Sequence, residues 1–295
     1  MDLRNNQKNI CPICRFNKCE VIFKDNIRNG AFPNQELRTI FKCARCNLQF
    51  LEKNNKKINY QDNNYRESLN EEASIESFRK HHDHLQIDLL ALIGIENIRN
   101  KSVLDIGSGG GSFLDNIKGL TNQITSVEPN IDFSKSLTRS GYKVFNDIKE
   151  IKDKKFDLLT SFHVIEHVDK PLSFLQSISE MMHENSSLIL TTPNLNDILF
   201  NTLYEYKQFF YRTAHNFYFD ECSLINLGKR AGLNCKKISY KHRYSASNFF
   251  FWLKEKKPCG NKKYIGINYL FDKFWASYLE EFKMSEMLAI EFNKF

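Results

Sequence analysis

The sequence predicts an α/β protein: a Rossmann-like, doubly wound, mostly parallel sheet of seven strands, preceded by a small cysteine-bearing module. Three observations carry this. From Ser102 onward short apolar strands alternate with amphipathic segments, the βαβα rhythm of a parallel sheet covered by helices on both faces. One strand runs straight into the turn Gly107-Ser108-Gly109-Gly110-Gly111. Five of the eight cysteines fall within the first 46 residues, apart from the alternating region.

The strands are expected at Ser102–Ile106, Ile124–Glu128, Lys143–Phe145, Phe156–Ser161 and Ser187–Thr192, with two more near Lys236–Tyr240 and Ser247–Phe251. Helices are expected after the glycine turn and near Asp132, Pro171 and Asp220. Pro171 suits a first helical turn, where a missing N–H leaves no bond unmade. Before the first strand, Ile87, Leu89, Leu90, Leu92 and Ile93 give a helix an apolar face. The chain thus divides into a cysteine module over residues 1–55, a helical linker over 56–100 and an α/β domain with a C-terminal extension over 101–295.

With 295 residues, 41% hydrophobic and 26% charged, the composition is that of an ordinary globular protein with room for one large core and a small module. No apolar run reaches the roughly 18 residues of a bilayer span. The polar stretch Met1–Ile10 lacks a signal-peptide core, so the chain reads as cytoplasmic. The net charge of +7 is compatible with an anionic substrate, a nucleic acid or a membrane surface. Its basic residues concentrate late, at Lys236, Lys237, Lys241, Arg243, Lys254, Lys256, Lys257, Lys262 and Lys263, with Tyr240, Tyr244 and the run Phe249–Trp252 between them. A solvated basic surface over an aromatic-rich core is the simpler reading of that pattern.

In the cysteine module, Cys11-Pro-Ile-Cys14 is followed after a spacer of about 28 residues by Cys43-Ala-Arg-Cys46. Two such pairs can set four thiolates around one tetrahedral zinc ion, and four sulfur ligands leave no open position for chemistry, so the metal is structural. It also supplies folding free energy that so short a segment cannot draw from a core of its own. A redox role for one pair is weaker, since neither sits at the turn of a βαβ unit. Cys19 falls outside the pattern as a free thiol. The run His81-His82-Asp83-His84 could be a second metal site, but neighbouring helical residues face different ways, which favours a polar helix surface.

The glycine turn alone is a weak indicator of nucleotide binding. The acid Glu128, about 20 residues beyond it at the end of the next strand, strengthens the reading, because a carboxylate there can accept hydrogen bonds from both hydroxyls of a ribose. Asn146-Asp147 after the third strand places an acid where an adenine amino group could donate. The fourth strand then runs into Phe162-His163-Val164-Ile165-Glu166-His167-Val168.

This order of Asp-x-Gly-x-Gly-x-Gly, Glu, Asn-Asp and Phe-Asp-Leu-Leu…Glu-His-Val resembles the class I S-adenosylmethionine-dependent methyltransferases over roughly residues 100–235, as does the later His215-Asn-Phe-Tyr-Phe219 segment. The whole layout resembles the branch with an N-terminal zinc ribbon, in which the second cysteine pair leads into an apolar stretch (here Asn47–Phe50) and a tyrosine-bearing linker (Tyr60, Tyr65). The resemblance implies a methyl acceptor among sugars, polysaccharide precursors, natural products or other small molecules. It implies that Asp105, Gly107, Ser108 and Gly109 line the methionine end of S-adenosylmethionine, that Glu128 holds the ribose, that Asp147 and Ile148 flank the adenine, and that Phe162 and His163 lie beside the cofactor. A nicotinamide dinucleotide is the competing ligand. Asp105 two positions before Gly107 is unusual for such loops.

Methyl transfer needs alignment of the acceptor and, for a hydroxyl, removal of a proton. His163 and His167 are candidate bases, placed with Glu166 on one side of an expected helix starting near His163. The same three residues could hold a divalent cation. Quinone-pathway O-methyltransferases resemble this region but carry Glu where this chain has His163, a departure that disfavours a magnesium-type site. His215 is a second candidate base, in a stretch that covers the acceptor pocket in the family. Tyr204, Tyr206, Tyr211 and Arg212 could shape that pocket or simply pack. Thr191-Thr192-Pro193-Asn194 has a positioning role. Two other functions stay open. One is an RNA methyltransferase gripping phosphates with the ribbon and the basic C-terminal region; the other is an inactive cofactor-binding scaffold.

Overall fold

The computed structural model describes residues 10–53, 58–68, 74–258, 260 and 262–295. The polar N-terminus apart from Ile10, and residues 56, 57 and 69–73 of the expected linker, lie outside them. Two compact units emerge, each assembled from separate stretches of chain. One comprises residues 1–53, 192–224 and 238–289; the other comprises 54–191, 225–237 and 290–295.

Four antiparallel strands form the sheet of the first unit. β1 (Cys19–Arg28) and β2 (Gln35–Cys43) make a long hairpin, β3 (Gln49–Leu51) lines up on β2, and β9 (Phe217–Tyr218) completes the far edge by pairing Phe50 with Phe217 and Gln49 with Tyr218. The hairpin is not stabilised by its cysteines alone. Phe23, Ile27 and Ile40 join Tyr206, Phe210, Tyr211, Tyr218 and Trp252 in one buried cluster, and each large side chain so buried contributes about 1.5–3 kcal/mol. The Arg28 guanidinium lies 3.9 Å from the centre of the Phe209 ring.

The seven-stranded sheet has the order β10 (Leu233–Lys241), β11 (Met287–Lys294), β8 (Met182–Pro193), β7 (Phe156–Phe162), β4 (Ser102–Ile106), β5 (Gln123–Val127) and β6 (Lys143–Phe145). The run from β8 through β6 is parallel throughout. β4 sits in the middle, so Val103 and Leu104 are wholly buried. The sheet order reverses direction at β4, and in open α/β sheets ligands bind beyond the carboxyl ends of the strands at that point. Helices start at Ser112, Ile131, Pro171 and Glu221, each within a residue or two of its expected place.

One expected strand is a helix. Ser247–Phe251 falls inside the helix Ala246–Glu255, which Ser245 caps by accepting the N–H of Asn248. The aromatic run favours a strand by propensity, but burial follows helical spacing: Trp252 is buried and Phe249 packs on the same core. The seventh strand is instead Met287–Lys294, where Met287, Leu288, Ala289, Ile290 and Phe292 are all buried. Among the described residues, no helix is long and apolar enough to cross a membrane.

Candidate active site and metal centre

Asp105 is the fourth residue of β4 and is buried to 2%. Its Oδ1 accepts the Thr160 hydroxyl at 2.6 Å. Burial pushes its carboxyl up to about 6, against the lowering effect of the Thr160 and Ser108 hydrogen bonds. Just beyond it the chain folds over the end of β5: the N–H groups of Gly107 and Ser108 both point at the Val127 carbonyl, at 2.8 and 3.4 Å. The Ser108 hydroxyl donates back to the Asp105 carbonyl at 3.1 Å and accepts the Ser126 hydroxyl at 2.8 Å.

Two of the glycines are required by space and by backbone angle. Gly107 (φ 81°) would drive a Cβ into Val164, and Gly109 (φ 54°) would bring one within 2.5 Å of the Phe78 ring. Glu128 stands at the end of β5, 5% exposed. Its two oxygens accept the N–H groups of Gly109 at 2.6 Å and of Asn130 at 2.9 Å. Burial raises its carboxyl, partly countered by those two bonds and by the positive charge of Arg66. Each oxygen keeps a further lone pair, so the same carboxylate can still receive a ribose. The glycine turn and the buried acid therefore fit an adenosine-type cofactor.

Asp147 and Ile148 sit farther along. Asp147 is exposed and caps the short 3-10 turn Ile148–Glu150, its Oδ1 accepting the N–H of Lys149 at 2.9 Å. Phe162 ends β7 with its ring edge-on to Phe113, centres 5.0 Å apart.

The expected helix starting at His163 does not form. His163 has φ 55°, outside the right-handed region, and its N–H is bound to the Thr191 carbonyl of β8 at 3.0 Å. Residues 163–170 make a turn, and the helix begins at Pro171. The turn still brings the expected residues together. His163 Nδ1 lies 3.3 Å from Oε1 of the buried Glu166. Burial alone would raise the Glu166 carboxyl, but the hydrogen bond from His163 and the charges of His163 and His167 hold it below its ordinary value. A carboxylate facing Nδ1 favours the neutral tautomer with its proton on that nitrogen, in which Nε2 would be the proton acceptor. His167 Nδ1 lies 3.0 Å from the Tyr60 hydroxyl, and Tyr65 borders the same ring pair.

Sequence reasoning missed the contribution of the linker. Phe78 lies against Gly109 and Gly110, stacks on His82 with ring centres 4.0 Å apart and meets Phe133 edge-on. Arg66 lies over both Phe78 and Phe133. Arg79 donates to the Gly110 carbonyl at 3.2 Å and pairs with Asp115 at 2.8 Å. The available signal was the pattern Ser74…Phe78-Arg79, a capped helix with one aromatic among charges. His81 and His82 turn their rings onto the carbonyls of their own helix, Ser77 and Phe78.

The other unit holds His215 and the cysteines. His215 is buried, its N–H bonded to the Arg212 carbonyl and its ring 5.7 Å from that of Tyr218. Tyr206 and Tyr211 belong to the hydrophobic core, while Tyr204 is exposed and donates to Asp25. Cys11, Cys14, Cys43 and Cys46 are buried with sulfurs within 4.8 Å of one another, Cys11 to Cys46 at 3.6 Å and Cys14 to Cys43 at 3.5 Å. Four thiolates at about 2.3 Å from a tetrahedral zinc stand about 3.8 Å apart; the Cys11–Cys46 and Cys14–Cys43 pairs are within a few tenths of an ångström of that spacing, and no pair exceeds 4.8 Å. The N–H groups of Cys14 and Arg45 already point at the Cys11 and Cys43 sulfurs, at 3.5 and 3.4 Å. Cys19 pairs with Cys43 across the hairpin but stays outside the set, its thiol pushed up to about 12 by burial and the neighbouring sulfurs.

A family model described as a methyltransferase domain matches residues 78–238. A ubiquinone biosynthesis O-methyltransferase of Glaesserella parasuis serovar 5 is 27% identical over 57% of this chain and 78% of its own. The protein of the same name from Actinobacillus pleuropneumoniae serotype 7 is 26% identical over 54% and 76%. Among solved structures, a chain from the complex between the Haloferax volcanii Trm112 methyltransferase activator and its methyltransferase superposes with a TM-score of 0.51. It is 9% identical and covers 75% of this chain and 97% of that one, a likeness of fold alone.

Proposed function

We propose, from the premise that the chain belongs to the methyltransferase-domain family and is an S-adenosylmethionine-dependent methyltransferase, that it methylates a small-molecule acceptor at a hydroxyl oxygen. The observation that carries the proposal is the His163–Glu166 pair at the end of β7. A buried carboxylate on Nδ1 leaves Nε2 as a base suited to a hydroxyl proton. The O-methyltransferase relatives point the same way. They name ubiquinone biosynthesis and lend no support to a carbohydrate acceptor, so the chemical class of the acceptor is drawn no more finely than a hydroxyl compound.

In this reading S-adenosylmethionine supplies a methyl group on a positively charged sulfur, which carries most of the reactivity. The protein supplies placement. Glu128 holds the ribose, Asp147 and Ile148 flank the adenine, and Asp105, Gly107, Ser108 and Gly109 line the methionine end. Phe162 and His163 border the reacting side, with His167 as a further proton acceptor; His215, in the other unit, is kept as a separate candidate base. Cys11, Cys14, Cys43 and Cys46 hold a structural zinc ion, and residues 1–55 serve as its ribbon, with 56–100 as linker and 101–295 as the methyltransferase domain.

The test is transfer of labelled methyl groups to a panel of phenols, sugars, nucleotide sugars and RNA. Incorporation into a hydroxyl compound that falls at least about tenfold in His163→Ala, with S-adenosylhomocysteine binding retained, supports the proposal. Incorporation into RNA alone overturns it. Cofactor binding without transfer to any class would make the chain a scaffold.

A further inference from the structure

The C-terminal helix Tyr269–Glu281 presents one face to the protein and another to solvent. The inner face is firmly mounted. Leu279 is fully buried, and Trp275 packs on Phe249 with ring centres 4.9 Å apart. Asp272 accepts the N–H of Ala246 at 2.8 Å, and Glu280 accepts the N–H of His242 and pairs with Lys241. On the outer face Leu270, Phe274, Tyr278 and Phe282 follow one another at intervals of four, which places them in a single row. Leu270 is 73% and Phe274 63% exposed, and Ile265, in the turn before the helix, is 96% exposed. The solvated basic surface over an aromatic-rich core expected for this region accounts for Phe249 and Trp252 but not for this row.

The sequence on either side of the row is not neutral. Between Leu253 and Lys283 the chain carries seven lysines against four acids. Three of the acids are engaged, Asp272 and Glu280 on the inner face and Glu255 with Lys257 at 3.5 Å, as are two of the lysines, Lys257 in that pair and Lys283 with Glu221 at 3.1 Å. Lys254, Lys256, Lys262, Lys263 and Lys273 are exposed, and Lys273 lies over the Tyr269 ring.

We propose that this face docks the protein on an anionic lipid surface, the row Leu270, Phe274, Tyr278 and Phe282 entering the headgroup boundary while the lysines meet lipid phosphates. An apolar row of leucine and aromatic residues flanked by lysines is the chemistry of a helix lying in a membrane interface. A second copy of the chain is a poorer occupant. Protein interfaces are depleted of lysine, and a two-fold contact through this face would set the lysine cluster against itself. Single-stranded RNA is also poorer: Phe274, Tyr278 and Phe282 offer stacking planes, but Ile265 and Leu270, more exposed than any of the three, offer a base none.

The experiment is flotation of the full chain with phosphatidylcholine vesicles and with vesicles containing roughly one third phosphatidylglycerol. Recovery at least about tenfold higher on the anionic vesicles is expected, falling by about tenfold or more in Leu270→Glu/Phe274→Glu and in Lys262→Glu/Lys263→Glu. Zinc content and S-adenosylhomocysteine binding should be unchanged in both variants. Wild-type recovery equal on the two vesicle types, or a Leu270→Glu/Phe274→Glu variant that floats as wild type does, overturns the proposal. So does a dimer in analytical ultracentrifugation that this variant dissolves, or RNA binding that it abolishes while vesicle recovery stays at background.

Discussion

The cysteine knuckles and the glycine loop are both tight turns whose backbone N–H groups are taken by acceptors of the protein itself, yet they acquire that shape differently. In the knuckles the shape is local: Cys14 N–H reaches Cys11 three residues back, and Arg45 N–H reaches Cys43 two back. Two such turns then meet through the hairpin register that pairs Cys19 with Cys43. In the glycine loop the shape comes from elsewhere. Val127 and Glu128 on the next strand take its N–H groups, and Val164 and Phe78 fill the space that side chains would need. A motif of the first kind can be read from spacing alone. A motif of the second kind can be recognised from spacing, but its supporting residues cannot.

Removing one knuckle ligand should have the largest effect. Cys43→Ser takes a sulfur from a closed four-sulfur set, and structural zinc in isolated zinc modules is linked to on the order of 10 kcal/mol of folding free energy. The variant should lose its zinc, measured by atomic emission, and the cooperative melting of the ribbon unit. A fully loaded variant that melts as the wild type does would show that the local turns are stable without Cys43 as a ligand.

Glu128→Ala strikes the non-local motif. Two hydrogen bonds from ribose hydroxyls to a carboxylate are worth about 1.5–3 kcal/mol each, so calorimetric titration should find S-adenosylhomocysteine bound at least about a hundredfold more weakly, a loss of roughly 3–6 kcal/mol. Zinc should stay in place. Unchanged affinity would remove Glu128 from the ribose and leave it only as the acceptor for Gly109 and Asn130.

Asp105→Asn should act in the opposite direction on stability. The Asp105 carboxyl is pushed up to about 6 by burial, so the folded chain binds its proton more tightly than the unfolded chain does. The destabilisation is therefore absent below about pH 4, grows as the pH rises through about 6 and is complete above it. At pH 7 the ionised group costs about 3 kcal/mol. The amide gives back roughly 1 of that by weakening the Thr160 hydrogen bond. Chemical denaturation should find the variant about 2 kcal/mol more stable at pH 7 and level with wild type near pH 4. A wild-type advantage at pH 7 would mean that Asp105 is held ionised by its hydroxyl partners.

What was legible in the sequence follows the same division. β4 and β6 fall where the apolar runs place them, and the helices expected after the glycine turn and near Asp132, Pro171 and Asp220 start within a residue or two of their signals, because capping and periodicity are local. The four cysteines come together as spacing requires. Ser247–Phe251 was misread because a run of aromatic residues scores as strand, whereas the tertiary cluster around Trp252 and the Ser245 cap select a helix. The turn at His163 was misread for a similar reason. Nothing in the string Phe162–Val168 announces that His163 N–H will be taken by Thr191 on the neighbouring strand.

Phe78 gives the finest test, since it is the residue that carries the glycine loop's support from outside the motif. Its ring lies between His82, stacked at 4.0 Å, and the Arg66 guanidinium at 4.7 Å, and it closes on Gly109 and Gly110. The side chain is only half-buried, so Phe78→Ala should leave global stability nearly intact. The loop itself should loosen. Hydrogen exchange at Gly109 and Gly110 should quicken, and S-adenosylhomocysteine should bind about fivefold more weakly, roughly 1 kcal/mol of lost preorganisation. If exchange quickens without loss of affinity, the loop is shaped by Val127 and Glu128 alone and residues 60–68 and 74–82 only cover it. If neither changes, the contrast with the cysteine knuckles narrows, because the loop would then be held entirely within the strand pair that carries it.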